Sequence, residues 1–108
     1  LFRSATTDYK TLLADKEINT IMIATRHNQH ANMVVEGLGT GKNIYVEKPL
    51  ALNINELSDI YKTVTINNRL IMVGYNRRYA PSICWLKKQL NPTVPYSIYY
   101  QIDLWMDG

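Results

Sequence analysis

An acid, an amine and a proline stand together where an apolar run ends, at Glu47, Lys48 and Pro49. In open α/β sheets ligands bind just beyond the carboxyl ends of the strands, so this position favours contact with a substrate. A lysine beside a reacting oxygen can hydrogen-bond it and stabilise developing negative charge. The same pattern also fits an exposed lysine at a strand end that pairs with Glu47. From the motif alone, the second interpretation is favoured.

Polar residues also follow two other apolar runs. Thr25, Arg26 and Asn28 come after the first run, and Asn76 and Arg77 come after the third. If the runs are parallel strands, these loops lie at the edge of the sheet where ligands bind. Arg26 could meet a phosphate there or face solvent.

His30 falls in the first turn of the helix predicted after the first run. A packing role and a ligand contact are both compatible with that position. His27 lies three residues earlier, but no third metal ligand is nearby in the sequence, so we predict no metal site.

Three nearly continuous apolar runs alternate with helical stripes. The runs cover residues 20–24, 43–46 and 70–73, and stripes at i, i+3, i+4 spacing occupy residues 31–38 and 54–64. Continuous apolar strands are typical of parallel sheets that are buried on both faces. Gly41 can end the first helix in a left-handed conformation, and Asn53 with Glu56 has capping-box spacing. The order predicts an α/β fold that is the second half of a doubly wound, Rossmann-like parallel sheet.

The pattern changes after Gly74. Pro81 can begin a helix, and residues 96–106 alternate strictly between two faces, as in a half-exposed antiparallel strand. We therefore expect the parallel sheet to run into the first strand of an antiparallel α+β domain.

Composition restricts the class of protein further. The chain has 108 residues, a net charge of +3 and 46% hydrophobic residues, which is enough for one small core. Its basic residues occur in scattered pairs, so we predict no nucleic-acid partner. No apolar run approaches the roughly 20 residues that span a bilayer, so we predict no membrane partner. The lone Cys84 fits a reducing compartment, and we expect a cytoplasmic protein.

Four elements together resemble the glucose-fructose oxidoreductase, inositol dehydrogenase and MocA family of nicotinamide-dependent oxidoreductases. In order they are Ile23-Ala24-Thr25 with His30-Ala31, Gly41-Lys42, Glu47-Lys48-Pro49-Leu50-Ala51, and the run from Gly74 to Pro81. The resemblance implies that residues 1–80 are the C-terminal half of a NAD(P)-binding Rossmann domain. Residues 81–108 would then be the linker helix and opening strand of the substrate and oligomerisation domain.

The resemblance also implies an activity. Such proteins transfer hydride between NAD or NADP and a hydroxyl carbon of a sugar, cyclitol or related small molecule, and we expect a homo-oligomer. Lys48 would be the catalytic residue. The residues expected to bind the cofactor are Thr25, Asn28, His30, Glu47, Pro49, Asn76 and Arg77. Pro49 would fix the turn, in either a cis or a trans peptide bond.

The chain also departs from the family pattern. The sequence has neither a glycine-rich turn after a first strand nor an Asp-x-x-x-His pair. Gly37, Gly39 and Gly41 are not such a turn, because they end a predicted helix instead of opening one after a strand. Arg26 stands where the family commonly has proline, so no cofactor contact is carried onto it. We therefore expect an internal fragment that is inactive alone and binds the cofactor weakly.

Two alternatives to a simple dehydrogenase stay open from the sequence. The same fold could serve as a noncatalytic binding or regulatory module. The loop at residues 24–27 and the run Asn76-Arg77-Arg78 also resemble a branch in which this module follows a zinc-type alcohol dehydrogenase region.

Overall fold

A computed structural model describes residues 3–99 of the chain. The regular elements are α1 (Tyr9–Ala14), β1 (Thr20–Ile23), α2 (His27–Gly39), β2 (Asn43–Glu47), α3 (Ile54–Asn67), β3 (Ile71–Gly74), a short 3₁₀ helix (Asn76–Tyr79) and α4 (Pro81–Gln89). The predicted order of strand, helix, strand, helix, strand is confirmed. Among the described helices, none is long and apolar enough to cross a membrane.

The strands form a parallel sheet in the order β1-β2-β3. Ile23 pairs with Val46, and Val46 pairs with Val73, so the three carboxyl ends meet at one edge. This register brings the loop after β1, the residues that follow β2 and the end of β3 to the edge where ligands were expected.

The core lies between one face of the sheet and helices α2 and α3. Val34 and Leu38 of α2 and Val46 of β2 are fully buried, with Ile23 of β1 and Ile60 of α3 beside them. Burying each such side chain contributes roughly 1.5–3 kcal/mol relative to leaving it exposed. These contacts fix the position of the strand ends.

The expectation of two buried faces is met on one face only. Met22 and Met72, which alternate with the core residues, are 74% and 48% exposed. The reason is that α2 and α3 both pack against the same core cluster, so these two helices cover the same face of the sheet.

Local hydrogen bonds explain where the helices begin and end. The Asn53 side chain accepts from the backbone N–H of Glu56 at 3.0 Å, and the Glu56 carboxylate accepts from the backbone N–H of Leu52 at 2.7 Å. This reciprocal pair caps the start of α3. In a capping box the Glu56 carboxylate would accept from the N–H of Asn53, whereas here it accepts from the N–H of Leu52, one residue earlier. Gly41 has a φ of 77° beyond the end of α2, the left-handed conformation predicted for it.

A side-chain hydrogen bond ties α1 to α2. The Tyr9 hydroxyl donates to Glu36 at 2.7 Å. This bond holds the pKa of Glu36 below its ordinary value and raises the pKa of Tyr9, because it stabilises the carboxylate and occupies the phenol proton.

The chain divides into two compact units, with Tyr75 ending the first and Asn76 beginning the second. In the second unit Pro81 is the first residue of α4, as predicted. Residues 96–99 belong to no strand, and residues 100–106 of the predicted strand lie outside the described residues. The domain boundary expected between residues 80 and 81 stays a prediction.

Candidate functional site

The candidate site begins where β2, the central strand, ends at Glu47. Lys48 follows it as an exposed residue, and the Lys48–Pro49 peptide bond is cis, which decides a question that the sequence left open. Lys48 is therefore exposed at the carboxyl edge of the sheet, in a position to meet a ligand.

Two neighbours that the sequence analysis missed set the position of the Glu47 carboxylate. The Tyr45 hydroxyl donates to Glu47 Oε1 at 3.3 Å, since residues two apart in a strand share a face. Gly74 is the register partner of Glu47 on β3. A Cβ atom at Gly74 would lie 2.6 Å from the Tyr45 hydroxyl oxygen and 2.9 Å from Glu47 Oε1. The absence of a side chain at residue 74 thus makes room for both polar groups.

His30 lies beneath the site with no exposed surface. Its Nδ1 is 2.7 Å from the carbonyl oxygen of Pro49, and its Nε2 is 3.0 Å from the carbonyl oxygen of Thr25. Of the two roles left open by the sequence, this geometry supports packing, because a fully buried ring offers a cofactor no surface to touch. The contact between His30 and a cofactor stays a prediction.

Thr25 and Asn28 line an open groove beyond β1. Arg26, His27 and Leu52 complete its lining, and its volume is about 450 Å³. Thr25 and Asn28 are both exposed. The groove is therefore accessible to a ligand at the same edge of the sheet as the end of β2.

Asn76 and Arg77 lie in the 3₁₀ helix of the second unit, and both are exposed. They follow β3 closely in the chain, but their role beside a cofactor stays a prediction.

The rings of His27 and His30 meet edge to face with centroids 5.7 Å apart. In the described part of the chain, no three His, Cys, Asp or Glu side chains gather in a way that could hold a metal ion.

Comparison with known proteins identifies the family. The model of the glucose-fructose oxidoreductase, inositol dehydrogenase and MocA family, described as an oxidoreductase family with an NAD-binding Rossmann fold, matches residues 2–75. The chain belongs to this family. The fold class and family expected from the sequence are thereby confirmed, and the three-stranded parallel sheet is part of a Rossmann fold.

Named relatives of this family member include dehydrogenases of sugar-like compounds. Levoglucosan dehydrogenase of Pseudarthrobacter phenanthrenivorans is 33% identical over 89 residues, which are 82% of this chain and 23% of that protein. Inositol 2-dehydrogenase/D-chiro-inositol 3-dehydrogenase of Lactiplantibacillus plantarum is 32% identical over 88 residues, which are 81% of this chain and 25% of that protein. The chain thus spans about a quarter of the length of these relatives.

A solved structure agrees with the sequence comparison. Levoglucosan dehydrogenase in complex with NADH and levoglucosan superposes with a TM-score of 0.73 at 33% identity, over 81% of this chain and 24% of that chain. This relative is an enzyme solved with a nicotinamide cofactor and a sugar-like substrate. The NAD-binding family agrees with the cofactor class that the four-element resemblance implied.

Proposed function

We propose that the protein encoded by the complete reading frame transfers hydride between NAD or NADP and a hydroxyl carbon of a sugar, cyclitol or related compound. The observation that carries this proposal is the exposed Lys48 at the carboxyl end of the central strand of an NAD-binding fold. Relatives that act on levoglucosan and inositol support the substrate class.

Lys48 supplies the chemistry at the substrate oxygen. As the carbinol C–H bond breaks, its electron pair leaves as hydride to the nicotinamide ring, and the hydroxyl proton must also leave to form the carbonyl. The neutral Lys48 amine accepts this proton, and the resulting ammonium donates a hydrogen bond to the oxygen. In the reverse reaction the ammonium stabilises the negative charge that develops on the oxygen and returns the proton to it.

Other residues at the same edge of the sheet hold the cofactor in this proposal. The Glu47 carboxylate, positioned by Tyr45 and the open space at Gly74, accepts hydrogen bonds from cofactor hydroxyls. Thr25 and Asn28 contact the cofactor along the groove. Pro49 shapes the turn beside the catalytic lysine. For Asn76 and Arg77, in the second unit, a contact with the nicotinamide is proposed from the family resemblance alone.

The 108-residue chain alone is inactive in this proposal and binds the cofactor weakly. Pyrophosphate is held in Rossmann domains by a glycine-rich turn at a helix N-terminus, and the sequence has no Gly-x-Gly-x-x-Gly. Calorimetric titration of the 108-residue chain with NADH checks this point. Tight binding would show that such a turn is dispensable here.

Deuterium transfer tests the proposed reaction. The protein encoded by the complete reading frame is incubated with NAD or NADP and with inositols and anhydrosugars that carry deuterium on their carbinol carbons. We expect deuterium to appear at the nicotinamide ring of the reduced cofactor with at least one of these compounds. Failure to reduce either cofactor with any of them would remove the proposed function.

We also propose a cytoplasmic homo-oligomer, and an exposed strand supports its self-association. Among the described strands β1 is at an edge of the sheet, and such edges offer unpaired backbone groups to another chain. We expect the sedimentation coefficient of the 108-residue chain to rise with concentration. A concentration-independent monomer with an intact sheet would contradict this expectation.

A further inference from the structure

His30 connects two loops of the candidate site through the backbone. Its side chain has no exposed surface, and its two ring nitrogens approach two carbonyl oxygens, at 2.7 Å for Pro49 and 3.0 Å for Thr25. Thr25 lies in the groove after β1, and Pro49 is the neighbour of Lys48. One buried ring therefore spans from the groove lining to the residue beside the proposed catalytic lysine.

Both partners of the ring are hydrogen-bond acceptors. A carbonyl oxygen has no proton to give, so each of these short contacts needs an N–H on the histidine. A neutral imidazole carries one N–H, and its other nitrogen would present a lone pair to an oxygen lone pair. Only the imidazolium ion has an N–H on both nitrogens. The geometry thus fits the doubly protonated ring better than either neutral tautomer.

We infer that His30 is a positioning residue that, as an imidazolium ion, donates to both carbonyls and holds the Thr25 loop and the Lys48–Pro49 turn in a fixed relation. This inference rests on the proposed function, because its consequence for catalysis requires Lys48 to be the reacting group. The inference about the ring protons concerns His30 itself and does not depend on activity.

Titratable side chains near the ring bear on its charge. His27, on the same helix, is in direct ring contact, and its ring centroid lies 5.7 Å from that of His30.

A positioning role predicts a specific kinetic change. His30→Gln keeps a buried polar side chain, but both of its N–H donors are on one nitrogen, so it cannot donate from the two separate positions that the ring nitrogens occupy. We expect kcat to fall roughly tenfold to hundredfold, the size expected for a small misplacement of a reacting group, with little change in the cofactor KM. Loss of cofactor affinity with an unchanged kcat would instead mean that His30 serves binding.

Nitrogen NMR tests the ring protons directly. The protein encoded by the complete reading frame is labelled with ¹⁵N-histidine, and the His30 signals are assigned by their loss in His30→Gln. At neutral pH we expect both His30 ring nitrogens to show the chemical shifts and one-bond proton couplings of an imidazolium. A single protonated nitrogen would overturn the inference, whether or not the protein proves to be a dehydrogenase.

Discussion

Lys48→Met in the protein encoded by the complete reading frame is expected to lower kcat by roughly 10²–10⁴-fold, the range typical of losing a positioned general acid or base. Methionine keeps the length and apolar character of the lysine stem but cannot donate to the substrate oxygen. Because Lys48 is exposed, we expect no comparable loss of folding stability. Steady-state kinetics with the best substrate and urea denaturation measure the two quantities separately.

Lys62→Met is the matched control. Lys62 is an exposed lysine on α3 whose amine pairs with Asp59 at 3.4 Å, and a surface ion pair of this kind contributes little. We expect the control to retain the kcat of the unmodified protein. If Lys48→Met also retained it, Lys48 would not be catalytic, and the noncatalytic module would become the better interpretation of the fold.

Gly74→Ala is expected to weaken cofactor binding with little effect on folding. The added Cβ would lie 2.9 Å from Glu47 Oε1 and 2.6 Å from the Tyr45 hydroxyl oxygen, so both groups must move. Each is the end of a flexible side chain, and their displacement costs little stability. A lost hydrogen bond to a charged group is worth about 1.5–3 kcal/mol, which corresponds to a roughly 10-fold to 150-fold higher Kd for the cofactor. Fluorescence titration with NADH measures this change.

Gly39→Ala separates this effect from that of a glycine substitution in general. Gly39 is the last residue of α2, and a Cβ atom there meets no atom within 4 Å. We expect the cofactor Kd of Gly39→Ala to match that of the unmodified protein. An unchanged Kd in Gly74→Ala would show that the Glu47 carboxylate does not hold the cofactor.

Sequence patterns predicted the parts of the site that depend on strand order. The apolar runs that end before Thr25 and at Glu47 are strong local signals, and parallel pairing then brings their carboxyl ends to one edge. The position of Lys48 at that edge follows from these two facts. Its exposure and the cis peptide bond at Pro49 depend on the folded chain and needed the structure.

The positioning residues were harder to predict because their contacts are tertiary. His30 meets a carbonyl 19 residues away, and no local periodicity reports such a contact. Tyr45 and Gly74 become meaningful only when β2 and β3 are paired in register, with Glu47 opposite Gly74. Alternation within β2 already put Tyr45 and Glu47 on one face, so this signal was present in the sequence. The strand register that places Gly74 opposite Glu47 could not be inferred from the sequence.

A crystal structure of the protein encoded by the complete reading frame, with the oxidised cofactor and a bound substrate, tests the role of Lys48 most directly. We predict that Lys48 Nζ lies about 2.6–3.2 Å from the hydroxyl oxygen on the reacting carbon, with that carbon facing the nicotinamide ring. A Lys48 side chain that points into solvent while another residue contacts this oxygen would contradict the proposed mechanism.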